Sequence, residues 1–253
     1  MPPKLTILGS ASAVPDENHE NTHMVLHGDH GAVLVDCAGI PLVRLKKAGV
    51  PFQSLTDVIL THFHPDHTYG FPILLMSMWL LGRTTPLRVY GLHHCLDRTE
   101  DQMSFYHWDE WPAFFPVAFH RFPEREGALV LDSHDFHITA SPVRHFVPTI
   151  GLRIVAKQTG FVLAYSSDTM PCPEVVRLAQ GADLLIHEAT GAEFGHSSAA
   201  QAGAVATEAG VKRLVLIHYE VWEREPTGLP EEAQAHFNGS VTLAEDYMVF
   251  DLG

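Results

Sequence analysis

Thr61-His62-Phe63-His64-Pro65-Asp66-His67 follows directly on the apolar run Asp57-Val58-Ile59-Leu60. The run has the length and the β-branched composition of a short buried strand. The seven residues after it therefore form a loop at the strand's end, carrying three imidazoles and a carboxylate within six residues. Neutral imidazole is the commonest protein metal ligand, so such a loop can converge on a metal centre. Four side chains from one loop do not close a coordination shell, and partners are needed from distant segments.

Outward from this loop, short β-rich runs alternate with helical patterns. Strands are predicted at 4–8, 24–27 and 32–36, and a helix at 41–48 that Gly49 closes. The apolar stretch after Gly70 reads as a buried helix, 87–90 as a strand and 96–108 as a helix. Segment 108–122 mixes Trp, Phe and Pro with acidic residues and reads as a loop or lid. Strands are expected at 129–132, 137–143, 150–155 and 161–165, the last two joined by Lys157-Gln158-Thr159-Gly160. Helices at 173–180 and 197–209 and strands at 184–187, 214–217 and near 247–251 complete the pattern. Many strands followed by strand and helix alternation point to two sheets faced by helices. No linker, repeat or charge run divides the chain, so one domain over 1–253 is expected.

Composition narrows the chemistry. Asp and Glu number 30 against 16 Lys and Arg, a formal charge of −14, whereas a general nucleic-acid binder is basic. With 46% apolar and 18% charged residues the chain can bury a sizeable core. Its longest apolar run, 71–81, is short of the ~20 residues that cross a bilayer. The first residues lack the basic start and longer apolar segment of a secretory signal, so a cytoplasmic location is expected. Cys37, Cys95 and Cys172 are odd in number and lack metal-type spacing, which fits buried thiols in a reducing compartment. Histidine is the anomaly: its 18 residues exceed Lys and Arg together.

His62-Phe63-His64-Pro65-Asp66-His67 resembles the H-x-H-x-D-H motif of the metallo-β-lactamase superfamily. Leu34-Val35-Asp36-Cys37 is similar to the family's strand ending in aspartate, and His145, Asp168 and His218 each end or follow an apolar strand, as its further ligands do. The resemblance implies a four-layered αβ/βα sandwich of α/β class. It implies that His62, His64 and His145 hold one metal, that Asp66, His67 and His218 hold a second, and that Asp168 bridges the two. Such donors suit two Zn²⁺, with Mn²⁺ or iron behind them. Asp36 is expected to fix the turn after its strand or to support a ligand. His93, His94, His107, His120, His134 and His137 are candidates to line the cleft, though no spacing pairs them and most are expected at the surface or behind the ligands.

A finer resemblance is carried by Leu8-Gly9-Ser10-Ala11-Ser12-Ala13-Val14-Pro15, Ser167-Asp168-Thr169, His187-Glu188-Ala189-Thr190 and Gly195-His196-Ser197-Ser198-Ala199-Ala200-Gln201-Ala202, which look like the ribonuclease Z branch of tRNA 3′-processing phosphodiesterases. It implies catalytic roles for Asp66, His196 and Glu188, with His196 and Glu188 as a proton-transfer pair. Two departures weigh against tRNA. That branch inserts a long flexible arm between the positions of His145 and Asp168, which here lie only 23 residues apart. Its basic continuation after the last histidine is replaced by Tyr219-Glu220-Val221-Trp222-Glu223. Long nucleic acids are held by neutralising many phosphates, so small phosphodiesters such as cyclic nucleotides rank first as substrate, and tRNA second. Lactone, thioester or β-lactam hydrolysis, and a metal-holding regulatory protein without turnover, are the more distant readings. A homodimer stays open, and no membrane partner is expected.

Overall fold

The computed structural model describes residues 2–253, and these form two mixed seven-stranded sheets packed face to face. The first half of the chain supplies β1 (Lys4–Gly9), β2 (His23–His27), β3 (Ala32–Val35), helix α1 (Pro41–Lys47), β4 (Leu55–Ile59), α2 (Pro65–Thr68), α3 (Phe71–Leu80), β5 (Leu87–Leu92), α4 (His93–Ser104) and β6 (Val117–Phe122). The second half supplies β7 (Ala128–Asp132), β8 (Phe136–Val143), β9 (Thr149–Ala156), β10 (Val162–Tyr165), α5 (Pro173–Ala179), β11 (Leu184–Glu188), α6 (Ala199–Ala209), β12 (Arg213–Ile217), α7 (Leu229–Gln234), β13 (Ser240–Leu243) and β14 (Val249–Asp251).

One sheet runs β14-β1-β2-β3-β4-β5-β6 and the other β13-β12-β11-β10-β9-β8-β7. In each, an antiparallel meander passes into parallel strands: β3 to β6 in the first, β10 to β13 in the second. Parallel neighbours need crossovers, and the helices make them on the outer faces. Strand periodicity then gives four layers. Leu5, Ile7, Val33, Val35 and Ile59 meet Ile154, Leu163, Ile186 and Ile217 between the sheets. The alternate residues Leu8, Leu34 and Val58 face outward onto Leu45, Phe71, Leu74 and Met78 of α1 and α3. On the other side, Ala164, Leu185 and Leu216 pack under Val175, Ala202 and Ala206 of α5 and α6.

Small residues let α6 and α7 approach closely. A Cβ on Gly203 would stand 2.3 Å from the Ala233 carbonyl oxygen. At its start α6 is held by a capping box, in which Ser198 Oγ accepts from Gln201 N–H and the Gln201 side chain accepts from Ser198 N–H.

Three expectations need correction. The last part of segment 108–122 is strand β6, in parallel register with β5, where Val117 and Phe119 point toward the helical layer. Its alternation was hidden by the aromatic and proline residues before it. The helix expected at 96–108 begins at His93 and ends at Ser104, because β5 runs into it without a loop. Pro65–Thr68, within the expected loop after β4, coil into the one-turn helix α2, and it, helix α7 and strand β13 are too short to give a periodic signal. Elsewhere the sheets and helices fall where expected within a few residues. The hairpin between β9 and β10 turns at Lys157-Gln158-Thr159-Gly160. All three cysteines are free and buried, and no helix of the described residues is long and apolar enough to cross a membrane.

Candidate metal centre

The ends of β3, β4, β8, β10, β11 and β12 meet at one edge of the sandwich, and the sharp turns there carry the polar residues. Asp36, Ser167 and His218 have positive φ, at 59°, 52° and 55°. A non-glycine residue in the left-handed region is uncommon and costs on the order of 1–3 kcal/mol. Three such residues at one edge mark where packing holds the chain against its preferences.

All seven candidate ligands come together here in two groups that share Asp168. In the first, His64 Nδ1 lies 3.1 Å from both His62 Nε2 and His145 Nε2, and Asp168 Oδ2 lies 3.8 Å from the latter two atoms. In the second, His67 Nε2 is 3.5 Å from Asp66 Oδ2 and 3.4 Å from Asp168 Oδ2, while His218 Nε2 is 3.4 Å and 3.5 Å from the same two oxygens. A tetrahedral ion with bonds of 2.0–2.2 Å keeps its donors about 3.3–3.6 Å apart; the second group has that spacing, and the first brackets it. His67 Nε2 is buried with no hydrogen-bond partner, an orphan that a cation would satisfy.

The far nitrogens fix which ring atom faces inward. His67 Nδ1–H donates to Asp36 Oδ2 at 2.9 Å, and His145 Nδ1–H to the Gly195 carbonyl at 2.8 Å. Thr61 spends its hydroxyl proton on Asp36, so at 3.1 Å it accepts from His62 Nδ1–H. Thr190 spends its own on the His218 carbonyl and accepts from His218 Nδ1–H at 2.8 Å. Each arrangement leaves Nε2 with a free lone pair. Asp36 therefore does two things: it takes Thr61 N–H at 2.8 Å, fixing the turn, and it orients His67. The supporting roles of Thr61 and Thr190 were not anticipated, since one hydroxyl in a motif carries no signal of its own.

Electrostatics agree with a cation site. Burial is the largest influence on His62, His64 and His145, and it keeps them below the ordinary imidazole range and hence neutral. Burial would raise Asp66 and Asp168, but the neighbouring His67 and His218 overcome it and hold both carboxyls well below their usual range. Burial would likewise lower His67, yet Asp168, Asp66 and Asp36 pull it well above. The carboxylates thus draw positive charge into the site.

Beside this centre, Glu188 is fully buried at the end of β11. Its Oε1 accepts N–H groups of Thr169 and Ser197 and Nδ1–H of His196, each at 3.0 Å, and Oε2 accepts Thr190 N–H at 3.0 Å. His196 also stacks on His218, with ring centroids 5.9 Å apart and planes 13° apart. Burial works against its charged form, but the bond to Glu188 and that carboxylate's charge raise His196 above the ordinary imidazole value.

His64, Asp66, Asp168, His196 and His218 open onto a cavity of about 420 Å³, walled by Ser12, Val14, Phe146, Trp222 and Arg224. Arg224 is the one Lys or Arg among its described lining residues, and it is paired with Glu220. None of His93, His94, His107, His120, His134 and His137 lines it.

A family described as the beta-lactamase superfamily domain matches residues 32–219. The ribonuclease Z of Methanothermobacter thermautotrophicus is 30% identical over 98% of this chain and 96% of its own length. That alignment runs over 310 positions against 253 residues here, so the relative has segments without a counterpart in this chain. Among solved structures, the metallo-beta-lactamase fold protein YhfI from Bacillus subtilis superposes with a TM-score of 0.84 at 25% identity, covering 98% of each chain. The short form of human tRNase Z superposes at 0.77 and 28% identity, covering 99% of each.

Proposed function

The chain belongs to the metallo-β-lactamase superfamily, in its ribonuclease Z branch, and from that membership we propose that it cleaves phosphodiester bonds at an RNA end. It is a dinuclear metal-dependent hydrolase; the bond cleaved and the substrate are the proposal. One observation carries it: His196, 3.0 Å from Glu188, lies on the wall of the cavity into which His64, Asp66 and Asp168 open. An alkoxide leaving group needs a proton, and this pair supplies one.

His62, His64 and His145 would hold one ion and Asp66, His67 and His218 the other, with Asp168 shared. Imidazole nitrogens and carboxylate oxygens in this ratio favour Zn²⁺, ahead of Mn²⁺ and iron. Two such cations, when bound, supply Lewis-acid charge for a phosphoryl oxygen and lower the pKa of water from 15.7 towards ~7. Asp66 accepts a hydrogen bond from the attacking water and so orients it; its carboxyl, held well below the usual range, is a poor resting place for the proton. The water oxygen joins phosphorus as the bond from phosphorus to the alcohol oxygen breaks, and one proton of that water leaves to solvent, from which His196 is reprotonated for the next turnover. His196, anchored through Nδ1–H, delivers the Nε2 proton to that departing oxygen. The products are a phosphomonoester and an alcohol.

A second reading, small phosphodiesters such as cyclic nucleotides, ranked first on sequence, and the names of the relatives favour the RNA reading over it. The cavity mouth still speaks for small substrates. Asp16, Glu17, Glu223 and Glu225 line the hollow beside Trp222 and Arg224, an acidic surface that offers a long polyanion few cations. Incubating metal-loaded protein with a 3′-extended pre-tRNA and with small phosphodiesters at physiological salt tests the order. Correctly placed cleavage of the pre-tRNA upholds the RNA reading. Turnover of the small diesters alone transfers the assignment to the second reading, and turnover of neither removes both.

A further inference from the structure

Phe146 and Phe194 are 58% and 68% exposed, and neither belongs to an apolar core cluster. Their rings meet edge to face, with centroids 5.3 Å apart and planes 66° apart. Phe146 also packs against His145 at 5.0 Å and His196 at 6.0 Å, and it lines the cavity of the candidate metal centre. The residue beneath it is built to receive it. Gly195 has φ +85°, and a Cβ there would stand 2.9 Å from the Phe146 ring. A side chain at 195 would thus push the ring away, whereas the bare backbone lets it settle beside His145 and His196. One side of the aromatic pair is fixed by these contacts and the other is left to solvent.

Exposed phenyl rings forgo hydrophobic stabilisation unless something flat and apolar covers them in use. What covers Phe146 must also place a phosphoester within reach of His196, which the ring touches. A nucleobase meets both requirements: it has a π-face for stacking and is tethered through its sugar to a phosphate. We infer that Phe146, backed by Phe194, is a stacking subsite for the aromatic base of the nucleoside esterified to the phosphate that this centre attacks. The inference rests on the phosphodiesterase reading and assigns the base its place beside the reacting phosphate, with no preference among bases because stacking needs only a flat ring.

The test compares binding of adenosine 5′-monophosphate and ribose 5-phosphate to the metal-loaded protein by calorimetry, alongside turnover of a dinucleotide. The two ligands share a phosphate and a ribose and differ in the base. Wild-type protein should bind the nucleotide on the order of 5- to 100-fold more tightly, the range of one base–aromatic stack. Phe146→Leu should abolish the difference, Phe194→Leu should reduce it, and Phe146→Tyr should restore it. Equal affinities in the wild type, a preference that survives Phe146→Leu, or binding of neither ligand would overturn the inference. A nucleotide preference without dinucleotide turnover would instead count against the phosphodiesterase reading, and turnover without the preference would count against the subsite alone.

Discussion

His67 Nδ1 stands 2.9 Å from Asp36 Oδ2, and both side chains are completely buried. The same carboxylate receives Thr61 N–H and the Thr61 hydroxyl, so one group connects the end of β3, the turn after β4 and the inner face of the candidate centre. Replacing Asp36 with Asn keeps the volume but removes the charge that fixes the His67 ring. Groups that orient metal-binding histidines typically contribute 10- to 100-fold in affinity. Asp36→Asn should weaken metal binding by about that factor, which competition with a chelator would measure; unchanged affinity would make Asp36 a turn-former only.

How far the fold was legible is seen at the loop after β4. An apolar strand followed by three histidines and an aspartate gave both the sheet edge and the residues that crowd it, because buried strands and dense polar loops leave strong local signals. His145, Asp168 and His218 carry no such signal singly; the resemblance to the metallo-β-lactamase superfamily singles them out, through their order along the chain and their places after apolar strands. Hydroxyl partners such as Thr61 and Thr190 were invisible, since their roles depend on which atom a proton is given to. Strand β6 was masked by flanking aromatics and proline, and α7 and β13 by shortness. Phe146 and Phe194 carry no signal in the sequence, and only their exposure in the folded chain singles them out.

Asp168 Oδ2 lies within 3.8 Å of His62, His67, His145 and His218 nitrogens, the one carboxylate common to both groups. Asp168→Asn should therefore lower occupancy of both sites together, from about two ions per chain, as read by elemental analysis after dialysis. Loss of a single ion would show that the carboxylate does not bridge.

The raised pKa of His196 has a signed consequence for rate against pH. A proton donor acts in its charged form, so turnover of an alkyl phosphodiester falls as pH rises through the His196 pKa, which Glu188 holds above the ordinary value. Glu188→Gln removes that charge, and the alkaline limb should move to lower pH at unchanged metal content. A limb that stays in place would separate His196 from the proton transfer.

Packing makes an independent prediction. The 2.3 Å approach between a Cβ at 203 and the Ala233 carbonyl leaves no room for a methyl group where α6 crosses α7. Gly203→Ala should cost about 1–3 kcal/mol in denaturant unfolding, the usual penalty for overpacking, despite alanine's better helix propensity. A neutral or stabilising effect would mean that the two helices can separate freely.

If His196 protonates the alcohol leaving from phosphorus, the cost of removing it depends on the leaving group. His196→Ala should retain its metal and lose on the order of 10²–10⁴-fold on an alkyl phosphodiester, the range of general acid catalysis. On a p-nitrophenyl ester, whose leaving group departs as a stable anion, the loss should be far smaller. Lactone, thioester or β-lactam hydrolysis would not show this split. With metal content measured in each sample, a large alkyl loss beside a small p-nitrophenyl loss is the predicted result; equal losses on the two substrates at full metal occupancy would contradict it.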